Sequence, residues 1–244
     1  STQSRSSAAS DVYKRQNRYY KKGEHNMIPV YAISTGKIET LNYDQKRPMH
    51  SALNKTMFSG KMWLSYTGFS EDEQAYKDHG GPHKAVCCFS KENYSMYKND
   101  INILPDYAMF GENLTLVDLD ENDVYFGNQY QLGEAIVEVS EIREPCWKIQ
   151  RKYGIKHLVK RMSSSGKTGF YMRVLKEGYV QQQDHLLLLK TAESPTRLSV
   201  QNLNDIYYND RENIDRLNQA INNPYLSPKR IEKLKLLKEK AMNK

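Results

Sequence analysis

Residues 27–190 are divided into short runs of β-forming side chains by glycine-bearing turns, and this punctuation narrows the fold more than any other feature. An apolar run over 28–33 is ended by Ser34-Thr35-Gly36. Runs at 124–126 and 129–132 flank Gly127-Asn128, which supplies the positive φ of a tight hairpin. Gly133-Glu134 then turns the chain into 135–140, and two further strands are predicted at 170–175 and 186–189. Short strands with such turns predict a mainly β, barrel-like domain over 27–190. Short helices are inserted at 91–99 and where Ile155, Leu158, Val159 and Met162 mark one helical face. Cys87 and Cys88 lie in the apolar run 85–89 and read as strand core residues.

The pattern changes at Lys190. Residues 191–197 read as a linker and 198–244 as a small all-α module of three helices. Ser199 caps the first, which aligns Val200, Leu203 and Tyr207. Asp210 is predicted to cap the second, with Ile214, Leu217 and Ile221 on one face. Ser227-Pro228 opens the third, lined by Ile231, Leu234, Leu237 and Ala241. Such a module is too small to stand alone and is expected to dock on the β-domain. Residues 1–26 are polar with no hydrophobic period and read as a non-native or disordered leader, with folded sequence starting at Met27.

The net charge of +7 invites a nucleic-acid reading, but its location argues against one. Residues 1–26 hold six Lys/Arg against two Asp/Glu, and 225–244 hold seven against two. The body, 27–224, carries 23 against 25, so nucleic acid is not the expected partner. The lysines from 229 onward read as the solvated face of an amphipathic helix. No apolar run approaches the ~20 residues of a membrane helix, and no membrane partner is expected. The three cysteines show no metal spacing. A cytoplasmic protein with reduced thiols is the expectation.

Four segments contain residues with chemical potential. In Asp78-His79-Gly80-Gly81-Pro82-His83-Lys84 the glycines admit close backbone approach and Lys84 adds charge, although alone this reads as a surface turn. In Phe110-Gly111-Glu112-Asn113-Leu114, Glu112 is a candidate acid or base, against the plainer reading of a turn that opens a strand. Ser163-Ser164-Ser165-Gly166-Lys167-Thr168-Gly169 lacks the first glycine of a phosphate loop, because Arg161 stands there, and it precedes a strand; an ATPase is rejected. A simpler anion contact through Lys167, Thr168 and the Gly169 backbone stays open. In Arg143-Glu144-Pro145-Cys146-Trp147 the cysteine follows a strand, and Arg143 together with a helix starting near Cys146 would favour the thiolate, the form that ligates soft metals. A buried structural cysteine is the alternative.

The ordered set is more specific than its members. HGGPHKAVCCF at 79–89, FGENL at 110–114, VYFGNQYQLGEAIVEVSEIREPCWKI at 124–149 and GKTGFYMRVL at 166–175 together resemble the MOSC domain family, named for the C-terminal domain of molybdenum-cofactor sulfurase. The likeness is to its YiiM-like branch, which carries an appended helical module. The resemblance implies a β-barrel-like fold that binds the molybdenum cofactor, molybdopterin, a pterin with a dithiolene and a phosphate. It implies that Cys146 is the functional cysteine, as a molybdenum ligand or a sulfur acceptor. His79, Gly80, Gly81, Lys84, Arg143, Lys167, Thr168 and Gly169 would line the anionic pterin phosphate, and Asn113 would bond the pterin edge. The family's Gly-Phe/Leu-x-Gly-Asp-x-Gln run reads here Gly68-Phe69-Ser70-Glu71-Asp72-Glu73-Gln74, with Glu71 in place of the second glycine. If that position needs positive φ, Glu71 is strained there.

The implied function is a molybdenum-dependent oxidoreductase that reduces N-hydroxylated compounds, such as hydroxylamino nucleobases, to amines. Cys146 would tune the metal, and Glu112 or Asp72 would move protons. With no flavin or iron–sulfur motif in the chain, electrons would come from an external reductase. The alternative is a non-redox carrier of the cofactor, or a sulfur-transfer protein using Cys146 as acceptor.

Overall fold

Pro29 has no N–H to give to a ladder, so the apolar run after Met27 is cut into β1 (Met27–Ile28) and β2 (Val30–Thr35). The structure, a computed structural model, describes residues 27–243 except 44–46, 194 and 196; the leader reading of 1–26 lies outside the described residues. Five short strands follow: β3 (Glu39–Leu41), β4 (Met49–Ser51), β5 (Thr56–Met57), β6 (Lys61–Ser65) and β7 (Gly68–Phe69). Then come β8 (Val86–Ser90), β9 (Leu114–Leu116), β10 (Gln129–Leu132), β11 (Ala135–Ile142), β12 (Phe170–Lys176), β13 (Gly178–Gln181) and β14 (Leu186–Lys190). Nine of these form one sheet in the order β1-β14-β10-β11-β12-β8-β9-β2-β5, antiparallel except for the β8–β9 pair. Strands β13-β6-β7 and β3-β4 make two small sheets beside it. The fold is mainly β, a curled half-barrel, as the turn punctuation predicts.

The helices are α1 (Trp147–Tyr153), α2 (Leu158–Ser165), α3 (Val200–Tyr208), α4 (Ile214–Ile221) and α5 (Pro228–Met242). Leu203, Ile206, Leu217 and Leu234 of the last three belong to the same buried cluster as Phe126, Val137 and Val139 of the sheet. Each such side chain removed from water contributes about 1.5–3 kcal/mol, which a 45-residue helical segment could not collect by itself. A second cluster, centred on Phe110 with Phe89 and Tyr97 at 4.9 and 5.2 Å, seats α1 and α2 through Ile149, Leu158 and Met162.

Three local expectations are corrected. Residues 124–126 form no hairpin with β10: Tyr125 makes only an isolated bridge to Ser199, and β10 pairs with β11 across Gly133-Glu134. Gly127 (φ 91°) is needed for a different reason, since a Cβ there would lie 2.5 Å from the Tyr225 ring of the helical segment. Asn128 closes a turn by donating its N–H to the Tyr125 carbonyl at 3.0 Å and accepts from the Ala192 N–H at 2.8 Å, so this dipeptide is a turn that serves as a docking point and not a hairpin loop. Residues 91–99 form a 3-10 helix only, Lys91–Tyr97. Helix α4 is capped by Asn213, whose Oδ1 accepts from Arg216 N at 3.2 Å, because the Asp210 carboxylate is taken by the Arg216 guanidinium at 2.9 Å and the Asn213 amide. The caps Ser199 and Ser227, with Pro228 in the first turn, are as the sequence predicts.

Candidate functional site

The register of β11 against β12 shifts between Val139 and Glu141, leaving Ser140 as an extra residue. Such a bulge bends a strand and re-aims its neighbours. The Ser140 hydroxyl donates to the His83 carbonyl at 2.8 Å and so ties the His79–Lys84 loop to β11. Two residues beyond β11, Pro145 and Cys146 lead into α1, with Cys146 in extended conformation at its N-cap position (φ −89°) and half-buried. A cleft opens there, lined by Cys146, Arg143, His79, Lys84, Asp72 and Asn113 among the sequence candidates. Lys55, Lys148, Cys87 and Tyr171 also line it, as do the carboxylates Glu73 and Glu144.

Arg143 is buried, and its Nη2 donates to the Phe110 carbonyl while Nη1 has no partner. A buried guanidinium N–H left open costs free energy unless something bonds it, so this atom points to an anion or carbonyl of a ligand. Lys84 Nζ donates to the Asp78 carbonyl at 2.8 Å, and burial pulls its pKa down. Lys148 donates to the His50 carbonyl at 2.5 Å. Burial, then the charges of Arg143, Lys148 and Lys84, pulls His79 down to about 4, so its imidazole is neutral at physiological pH. Burial raises the Cys87 thiol and the Tyr171 phenol, which keeps both protonated.

Several candidates face elsewhere. Glu112 is fully buried outside the cleft: its carboxylate accepts from Tyr94 Oη, Phe110 N at 3.0 Å and Thr115 Oγ1 at 3.2 Å. It braces the 108–115 turn and reaches no solvent or ligand. Asp72 lines the cleft but is consumed by Lys55, Gly36 N at 2.8 Å and Asn113 Nδ2 at 2.9 Å. Asn113 spends its other amide hydrogen on the Ser34 carbonyl at 3.1 Å and its oxygen on Cys87 N at 3.0 Å. Both are scaffolding of the cleft, with their bonding groups engaged inside the fold. Lys167 pairs with Asp120 at 3.0 Å, and Thr168 donates to Asn204 Oδ1 at 3.2 Å, facing the helices. Gly169 N donates to Glu121 Oε1 at 3.3 Å, and with φ +81° a Cβ would meet the Cys88 carbonyl. Gly80 and Gly81 line adjacent hollows and not the Cys146 cleft. Glu71 has no positive φ, since among the described non-glycine residues only Ala108, Asp118 and His157 do; it is exposed and pairs with Lys37 at 3.3 Å.

Sequence reasoning missed Lys55, Lys148, Cys87 and Tyr171. The first two carry no local signal, and the last two alternate on strands that looked like core alone. Among the described residues no group of three or more His, Cys, Asp and Glu could hold a metal ion. A metal at Cys146 would thus have to arrive with most of its own donors, as a dithiolene-bearing pterin does. The open Arg143 nitrogen beside Lys84 and Lys148 matches such a cofactor's anionic end. The residues present fit the group. Among the described residues no helix is long and apolar enough to cross a membrane.

The MOSC domain matches residues 75–187, which contain Arg143 and Cys146. The uncharacterized protein YflK of Bacillus subtilis is 37% identical over 199 residues, 81% of this chain and 89% of that one. Protein YiiM of Escherichia coli is 33% identical over 171 residues, covering 67% and 73%. A protein of Gibberella moniliformis named reductase is 33% identical over 144 residues, 57% of this chain and 26% of that one. The crystal structure of YiiM from Geobacillus stearothermophilus superposes with a TM-score of 0.72 at 30% identity, covering 86% of this chain and 98% of that one. The chain belongs to the MOSC domain family, in its YiiM-like branch.

Proposed function

We propose that the chain is a molybdenum-cofactor oxidoreductase that reduces N-hydroxylated compounds to amines. The observation that carries this reading is a cleft lined by both Cys146 and the buried Arg143, whose Nη1 has no partner within the fold. Family membership supports a cofactor of this kind, and the reductase name of one relative supports the reaction class.

Cys146 would hold the metal through sulfur, and Arg143 with Lys148 would hold the anionic end of the pterin. When bound, the molybdenum cofactor supplies the two-electron reduction of an N–O bond. The net change takes up two electrons and two protons and yields an amine and water. The residues of the chain position the substrate and manage the protons. Lys84 Nζ is the proton donor we assign, because burial weakens its hold on the proton and it lines the cleft. His79, neutral and half-buried, offers an uncharged ring nitrogen that can accept from the N–OH group without repelling it. Asp72 and Asn113 keep Lys55 fixed beneath the cleft, which preserves the net positive lining.

Metal and pterin analysis of protein made in a cofactor-competent host, with Cys146→Ala alongside, tests the reading. Stoichiometric molybdenum and pterin that depend on Cys146, and turnover of hydroxylamines with a chemical reductant, are expected. Pterin without molybdenum, or a persulfide on Cys146 with no turnover, would replace it with a carrier or sulfur-transfer role. Absence of both groups from folded protein would overturn the cofactor reading.

A further inference from the structure

Residues 146–167 contain seven Lys/Arg and no Asp/Glu, while the rest of 27–224 carries sixteen Lys/Arg against twenty-five Asp/Glu. The near-neutral charge of 27–224 is therefore unevenly spread: the α1–α2 segment is its positive stretch, and the basic α5 is a second one further along the chain. The α1–α2 segment begins at Cys146. Arg47, Trp147, Arg151 and Lys156 line one broad depression on it, and Trp147 is 57% exposed there. Lys160 continues the charge along α2, while Arg161 pairs with Asp100 at 2.8 Å. No ion pair among the described residues engages Lys148, Lys152, Lys156 or Lys160. Arg151 donates to the Arg47 carbonyl, and Arg161 to the Asp100 carboxylate at 2.8 Å and the Met96 carbonyl at 3.3 Å.

We propose that this face is the docking site for an acidic electron-carrier protein. The inference rests on the reductase reading above, which needs electrons from outside the chain. Three observations favour this partner. The depression and the cleft share α1, and one and a half turns of helix span only about 8 Å, so a carrier seated over Trp147 is within electron-transfer reach of Cys146. The patch is small, as weak redox encounters are, whereas a duplex would need a longer basic track. The rest of 27–224, with sixteen Lys/Arg against twenty-five Asp/Glu, favours approach of an acidic partner by this face, and unlike the basic α5 this face adjoins Cys146. An exposed Trp ringed by cations is also a common anchor at the centre of such interfaces.

The test uses the full chain without cofactor, carrying Trp63→Phe, which leaves Trp147 as the reporter because the chain has two tryptophans. Oxidised flavodoxin, an acidic protein whose flavin quenches tryptophan, is titrated in at low ionic strength. Saturable quenching is expected, weakened roughly tenfold or more by about 0.3 M NaCl. Charge reversal at Arg47, Lys156 and Lys160 (each →Glu) should weaken it roughly tenfold or more, while reversal of Lys61 and Lys190 on other faces should not. Equal binding by both reversed variants, or no quenching, would overturn the proposal. So would tighter, patch-dependent binding of a single-stranded oligonucleotide, which would make the face a nucleic-acid site. In loaded protein, turnover driven by dithionite-reduced viologen should survive the Arg47/Lys156/Lys160 reversal while flavodoxin-driven turnover falls. Loss of viologen-driven turnover in the unaltered protein would defeat the reductase reading and leave the binding result to stand alone.

Discussion

Arg230 of α5 is the largest fully buried side chain among the described residues, and truncating it is the sharpest test of how the helices are fastened to the sheet. Its Nε donates to Glu141 Oε1 at 2.7 Å and its Nη2 to Glu144 Oε1 at 2.7 Å, with the Arg230 and Glu141 side chains only 1% and 3% exposed. Ser227, the cap of α5, donates to the other Glu141 oxygen at 2.6 Å. Lys233 reinforces Glu144 at 2.5 Å, and the guanidinium also lies 4.4 Å from the Tyr207 ring. Arg230→Met keeps much of the apolar volume but leaves Glu141 buried and charged with no cation. Removing one member of a buried pair costs about 3–5 kcal/mol, a large share of the roughly 5–15 kcal/mol that holds a domain folded. In a chain of this length that loss lowers Tm by roughly 6–20 °C. Urea unfolding of Arg230→Met, Glu141→Gln and the double variant would measure it. The double variant should be less destabilised than the sum of the singles by at least about 1 kcal/mol, since each single strands the other's charge. Strict additivity, or a loss below about 1 kcal/mol for Arg230→Met, would refute the argument that this pair is desolvated and coupled.

Three further outcomes follow from buried polar groups and one glycine. Burial raises Glu121 from 4.5 to about 8, so between those pH values the folded state holds a proton that the unfolded state has lost. The stability this gives is complete below pH 4.5 and is lost as pH rises, at about 1.4 kcal/mol per unit up to the folded pKa; Glu121→Gln should flatten the curve of denaturation midpoint against pH. Glu112→Gln should cost about 1–3 kcal/mol in urea unfolding by weakening the brace on Tyr94 and Phe110, yet leave kcat/KM of loaded enzyme within roughly threefold; a collapse of kcat in folded protein would restore Glu112 as a catalytic group. Gly169→Ala places a Cβ 2.4 Å from the Cys88 carbonyl at a positive φ, and about 2 kcal/mol or more should be lost in thermal or urea unfolding, with no loss if β8 can move aside.

What the sequence made legible is what short-range rules decide. Ser199 and Ser227-Pro228 announce their helices because a cap is satisfied within three residues of itself. Gly133-Glu134 announces its hairpin for the same reason. Gly127-Asn128 carries the same local signature, but its purpose is the Tyr225 ring, 98 positions away, and nothing near it in the chain says so. The ties that assemble the site are all of this second kind: Ser140 to His83, Asn113 to Asp72, Arg230 to Glu141. The residues quoted as binding candidates share one chemistry, polar groups beside glycines, and the structure divides them by a property a sequence does not carry. Glu112, Asn113, Asp72 and Thr168 have met partners within the fold, because an internal donor held rigidly at 3 Å is always closer than a ligand that has yet to arrive. Arg143 has done so only in part: its Nη2 bonds the Phe110 carbonyl, its buried Nη1 has no partner, and the residue lines the cleft that also holds Cys146. A residue's type states what it can bind; only its unused bonding capacity states that something is still expected there. Of the twelve residues named in the sequence, Cys146, Arg143, Lys84, His79, Asp72 and Asn113 line one cleft, Lys148 joins them, and the other six lie outside it.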